Sequence, residues 1–278
     1  ATNTDVTVDN TAKLVTALDT VETSPAPTPT TVKISKKGMT GGQASTGELT
    51  GATMVLSTTD ANINFGDLTH TGGSSVTVSA DGKSISWKTT SEQFEIGLPN
   101  GDYKLTETVA PDGYNVITDT EFTVSDGTVT KSTTATNTDV TVSGTVITAF
   151  DKALTDVSFS KKEMTGGQAS TGELAGATMK LSTTTSNVDF SKIVGTHTGG
   201  SNVTVSTDGK SISWNTTTTQ FKISLPDGEY TLEETTVPAN HKQITTTSFT
   251  VSDGKVTKSA SATNTDVTVD NTAKLVTA

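Results

Sequence analysis

The 278-residue sequence contains no cysteine. Disulfide staples, thiolate metal sites and cysteine nucleophiles are excluded. Aromatic residues make up 5% and apolar residues 31% of the chain. That is thin for one large core, but it suits β-sandwiches that turn one residue inward and the next outward. No run of about 18 apolar residues occurs, so no stretch reads as a bilayer-spanning helix. No charged-then-apolar leader is visible either, and any secretion signal is expected outside these residues or already removed. Basic residues are few: 19 Lys and Arg against 30 Asp and Glu leave a formal net charge of −11. That balance argues against a nucleic-acid partner.

What the chain does have is repetition, which is read before local structure. MTGGQASTGEL at 39–49 recurs at 164–174, an offset of 125. DGKSISW at 81–87 recurs at 208–214, an offset of 127, so two residues enter the second copy between Leu181 and His197. ATNTDVTV occurs at 1–8, 135–142 and 262–269, and residues 1–17 are identical to 262–278. The expected organisation is a closing-strand-like segment of an upstream repeat at 1–17, a Pro/Thr-rich linker at 18–31 and a first module at 32–139. An inter-module connection at 140–156, a second module at 157–266 and the start of a further connection at 267–278 complete it.

The expected secondary structure is nearly all β. Thr, Val, Ile and Phe fill the candidate strands. Asp-Gly and Asn-Gly pairs such as Asp81-Gly82, Asn100-Gly101 and Asp126-Gly127 punctuate them, and the second copy repeats the pattern at Asp208-Gly209 and Asp253-Gly254. Short strands at regular spacing point to sandwiches.

Three polar residues extend apolar strand faces in both copies. Side chains at i, i+2 and i+4 share a face, which groups Val32, Ile34 and Lys36, then Val157, Phe159 and Lys161. Tyr103, Leu105 and Glu107 form a second such set, matched by Tyr230, Leu232 and Glu234. The third set is Ala135, Asn137 and Asp139, matched by Ala262, Asn264 and Asp266. Two readings stand. In one, each module holds a buried Lys–Glu ion pair and a hydrogen-bonding Asn. In the other, burial favours the neutral amine and the protonated acid. The amine then attacks the carboxamide while the glutamate shuttles protons. The product is a Lys–Asn amide formed once, by proximity, with loss of ammonia.

The segments VKISKK, GELTGATMVL, LPNGDYKLTETVAPDGYNV, FTVSDG and ATNTD together resemble the B-type repeat domain of Gram-positive collagen adhesins, the CnaB family, also found in sortase-assembled pilins. YKLTETVAPDGY resembles the pilin E-box. The resemblance covers about 32–139 and 157–266. It implies an inverse immunoglobulin-like β-sandwich in each copy, locked by a self-formed isopeptide bond. Carried over by position, Lys36 and Lys161 are the amines, Glu107 and Glu234 the catalytic acids, and Asn137 and Asn264 the acceptors. Asp139 and Asp266 are fallback acceptors, because the family uses either residue. The second copy departs from the E-box: Gly113 and Tyr114 correspond to Asn240 and His241. Asn3 repeats the acceptor motif without a lysine before it and is expected to be uncrosslinked.

Other features are read as structural. His70 and His197 fall in matching HTGG loops, while Trp87 and Trp214 follow inward alternation and read as core. GMTGGQ lacks the Lys-Ser/Thr of a phosphate loop. No metal or cofactor is expected, and no turnover enzyme. The expected role is a structural stalk on the cell wall of a Gram-positive bacterium, with neighbouring repeats of the same polypeptide as partners. The alternative is an adhesive module whose loops bind a host extracellular protein or glycan.

Overall fold

The computed structural model describes residues 6–17 and 28–278. Asn3 and most of the Pro/Thr-rich stretch lie outside the described residues. The fold is all-β and built as tandem sandwiches. In the first, one sheet runs in the order Val140–Ser143, Val146–Lys152, Thr30–Thr40, Phe94–Leu98, His70–Thr71. The facing sheet runs Thr128–Lys131, Thr120–Ser125, Gly101–Val109, Thr53–Ser57, Ser84–Lys88, Ser74–Val78. The second sandwich repeats this plan, with Thr155–Ser160 between Phe221–Leu225 and Leu275–Thr277 in one sheet and Gly228–Thr236 central in the other.

Alternation does what the pattern dictates. Phe94, Ile96 and Leu98 point inward from one strand, and Phe122 and Val124 from another. Asp126 and Gly127 both have positive φ, 47° and 82°, and join Thr120–Ser125 to Thr128–Lys131 in a two-residue hairpin. Such a turn matches the twist of the strands it joins. Trp87 lies flat on Phe94 from the opposite sheet, with centroids 4.1 Å apart, and Trp214 does the same on Phe221 at 4.1 Å. His70 stacks on the outer side of Phe94 at 5.6 Å. The two residues inserted in the second copy are absorbed by a helical turn, Phe190–Ile193, whose Ser191 amide donates to the Asp189 side chain at its N-terminus.

Two boundaries differ from the expectation. Residues 140–156 are not a connection. Val140–Ser143 and Val146–Lys152 form a hairpin in the first sandwich, and the latter strand runs parallel to Thr30–Thr40 from Val146↔Lys33 to Lys152↔Met39. Residues 268–277 likewise form a hairpin whose second strand pairs in parallel with Thr155–Ser160. The weak alternation of 140–156 hid an inward set, Ile147, Ala149 and Asp151. Only Ala153 and Leu154 separate the last strand of module one from the first of module two.

Candidate cross-linking site

The Thr30–Thr40 strand delivers Lys36 to the interior because Val32 and Ile34 precede it on the same face. Lys36 is 2% exposed. Glu107 reaches the same point from the facing sheet, in a cross-strand row with Met54 and Trp87. The third member comes from the parallel neighbour of the lysine strand. Ala149 lies opposite Lys36 in register, and Asp151, two residues further on, returns to the inner face. Asp151 is fully buried.

Lys36 Nζ donates to Glu107 Oε2 at 2.9 Å and to Asp151 Oδ1. Glu107 Oε2 also accepts the Ile117 amide at 2.9 Å, which fixes the carboxyl plane. The remaining oxygens, Glu107 Oε1 and Asp151 Oδ2, have no hydrogen-bond partner among the described residues. Two carboxyl groups and one amine thus share a space closed to solvent. Burial pushes the Asp151 carboxyl up to about 8; Lys36 pulls against that shift and the neighbouring Glu107 adds to it. Crowded carboxyls resist ionising together. Burial thus favours the protonated form of Asp151.

Asn137 is not brought to Lys36. It sits in the irregular segment before the closing hairpin and is half-buried at the sandwich edge. Its Nδ2 donates to Thr120 Oγ1 at 3.0 Å and to Asp139 Oδ1 at 2.5 Å. Asp139 Oδ2 accepts the Thr118 amide at 2.6 Å, and Lys131 Nζ donates to the carbonyls of Asn137 and Val140. Asn264 does the same work in module two, donating to Thr247 Oγ1 at 2.9 Å and Asp266 Oδ1 at 2.6 Å. Burial opposes ionisation of Asp266, but hydrogen bonds from Asn264 and Thr245 hold its carboxyl below the usual range. The repeated ATNTD motif is a polar latch that ties the entry of the closing hairpin to the sandwich. Its short alternation, Ala135-Asn137-Asp139, imitates a strand face without being one.

Module two keeps the amine and the acid. Lys161, 7% exposed, lies 3.4 Å from Glu234 Oε1, and Glu234 Oε2 accepts the Ile244 amide at 2.9 Å. Among the described residues Glu234 is the one ion-pair partner of Lys161. Extending the register Ser160↔Thr277 puts Ala278 opposite Lys161, as Ala149 is opposite Lys36. A groove of about 650 Å³ runs beside Lys161, lined by Asn240, His241, Ile244 and Ala278. In module one Tyr114 bridges Ala153, and the Asn115 amide donates to the Lys152 carbonyl at 3.0 Å.

The family model described as SpaA, prealbumin-like fold domain, matches residues 30–139 and again 155–266. The chain belongs to this family, with two copies in tandem. Both matches stop short of the closing hairpins that complete each SpaA-type sandwich. Among solved structures the chain is similar to a streptococcal ancillary pilin, at 19% identity and TM-score 0.38, over 86% of this chain and 66% of that one. It is also similar to the pilus adhesin SpaC of Lactobacillus rhamnosus GG, at 15% identity and TM-score 0.33, over 98% of this chain and 32% of that one. The shaft pilin SpaA of the same organism matches at 18% identity and TM-score 0.29, over 80% of this chain and 93% of that one. The chain thus spans just under two thirds of the ancillary pilin and about a third of SpaC. No relative was found among curated proteins.

Proposed function

We propose that the chain is a section of a surface stalk or pilus-like protein of a Gram-positive bacterium, and that its first SpaA-type module locks itself with an amide between Lys36 and Asp151. The observation that carries this reading is the buried triad of Lys36, Glu107 and Asp151. A proton passes from the Lys36 ammonium to Glu107, leaving a neutral amine in contact with a protonated carboxyl. The amine attacks Asp151 Cγ. Glu107 protonates the departing hydroxyl and takes the proton released by nitrogen. One C–N bond forms, one C–O bond breaks, and one water leaves. Positioning supplies most of the acceleration, and proton shuttling by the acid supplies the rest.

On this reading the acceptor follows by two residues the alanine that faces the lysine. Ala149 and Asp151 are that pair. Ala17 is followed at the same interval by Asp19, which lies outside the described residues. Asn137 and Asn264 are latch residues on this reading, not acceptors.

Peptide mapping tests the assignment. A trypsin digest should yield one branched peptide that joins the Lys36 and Asp151 segments, with no cleavage after Lys36. Recovery of the linear Lys36 peptide in full, or a branch at Asn137, would overturn it.

A further inference from the structure

In both modules one further carboxylate holds the reactive lysine by its backbone. The Thr30–Thr40 strand pairs with Phe94–Leu98 only as far as Ile34. Past that point its edge on that side has lost its partner, and the next peptide to need one is that of Lys36. Glu48 and Leu49 replace the missing strand. Glu48 Oε2 accepts the Lys36 amide at 2.6 Å, and the Leu49 amide donates to the Lys36 carbonyl at 2.6 Å. Glu48 also accepts the Ser35 hydroxyl at 2.9 Å and pairs with Lys37 Nζ at 2.9 Å.

Module two builds the same arrangement from the equivalent residues. Glu173 accepts the Lys161 amide at 2.9 Å and the Ser160 hydroxyl at 2.9 Å, pairs with Lys162 at 2.9 Å, and the Leu174 amide donates to the Lys161 carbonyl at 2.7 Å. Burial raises Glu48 and Glu173, but the hydrogen bonds from the adjacent lysine, backbone amide and serine outweigh it, and both stay ionised.

We propose that Glu48 and Glu173 are positioning residues for amide formation: each stands in for the absent strand at the lysine peptide and fixes the Cα from which the amine is aimed. The inference rests on the self-locking reading above. Neither carboxylate is a hydrogen-bond or ion-pair partner of the reactive Nζ, so neither is a catalytic group. A lysine amine hangs on four methylenes, and its aim is only as good as its anchor. A misplacement of about 1 Å costs on the order of 100-fold in an intramolecular reaction. The Lys36 amide left without Glu48 would also be an unpaired donor at a buried site, which costs about 1–3 kcal/mol.

The test uses the full chain, made in a cell-free translation reaction and quenched in denaturant at intervals, with the loss of water from module one read by intact mass. Glu48→Ala should slow the loss by roughly tenfold or more. Glu48→Gln keeps an acceptor oxygen at the same reach and should react at nearly the wild-type rate. Glu48→Asp keeps the charge, falls one methylene short, and should be slow. Val129→Ala, a core truncation in the Thr128–Lys131 strand, should not slow the reaction although it destabilises the fold. If Glu48→Ala reacts as fast as wild type, or if Glu48→Asp is fast and Glu48→Gln slow, the positioning role is overturned. Should Glu48→Ala fail to fold, the Gln and Asp variants still decide. Wild-type chain that never loses water would instead remove the self-locking reading itself.

Discussion

A lysine on an inner strand face is the residue from which the chemistry follows. An unpaired ammonium there would be prohibitive, so its neighbours must either neutralise it or consume it. Burial raises the Asp151 carboxyl to about 8, which favours the protonated form that the proposed attack requires. As pH rises through that value Asp151 ionises, and a carboxylate does not accept an amine. The rate of water loss is expected to fall above about pH 8 and to hold below it. A rate that climbs steadily through pH 9, read by quenched intact mass, would mean that a neutral Asp151 is not the electrophile. Asp151→Asn should still close the bond but release ammonia in place of water, and Asp151→Ala should release nothing. Asn137→Ala should leave the mass loss unchanged. It removes a latch, and urea unfolding should register a loss of about 1–2 kcal/mol.

At the scale of strands, the site depends on a parallel pair. The lysine strand and the closing strand run side by side, and their register alone decides which residue meets Lys36. A slip of one residue would turn Asp151 outward. Trp87 and Phe94 clamp the two sheets near Glu107, so Trp87→Ala should cost roughly 3–5 kcal/mol. Calorimetry should place the loss in module one and leave the module holding Trp214 unchanged. Much of this was legible in sequence. Val32-Ile34-Lys36 and Tyr103-Leu105-Glu107 placed a lysine and a glutamate on inner faces, where they are buried in contact, because each charge extends a clear apolar run. Ile147-Ala149-Asp151 carries the same signal, but a small alanine and the flanking threonine and phenylalanine blur the alternation. Asn137 was read as the acceptor from the alternation Ala135-Asn137-Asp139 and the family resemblance, whereas its side chain hydrogen-bonds Thr120 and Asp139 in an irregular segment. Parallel pairing between strands more than a hundred residues apart leaves no local mark, so the closing hairpin was legible only as a connection.

For the molecule as a whole, the proposed bond would fix where tension goes. Force entering at Thr30 would leave through Lys152 into the next module after two residues, and an amide from Lys36 to Asp151 carries it across. The chain between them, a sequence separation of 115, would bear none. Closing a loop of that size would also stabilise module one by about 5 kcal/mol in the chain-entropy model. Stretching single molecules should show module one failing to extend. Asp151→Ala should add an unfolding event that releases about 400 Å of chain. The most direct measurement remains the intact mass of the 278-residue chain under denaturing conditions. The expected value is the sequence mass less one water, restored in full by Asp151→Ala and by Glu107→Ala. A wild-type chain at its full sequence mass, with Lys36 free to react with an amine reagent after unfolding, would contradict the self-formed bond.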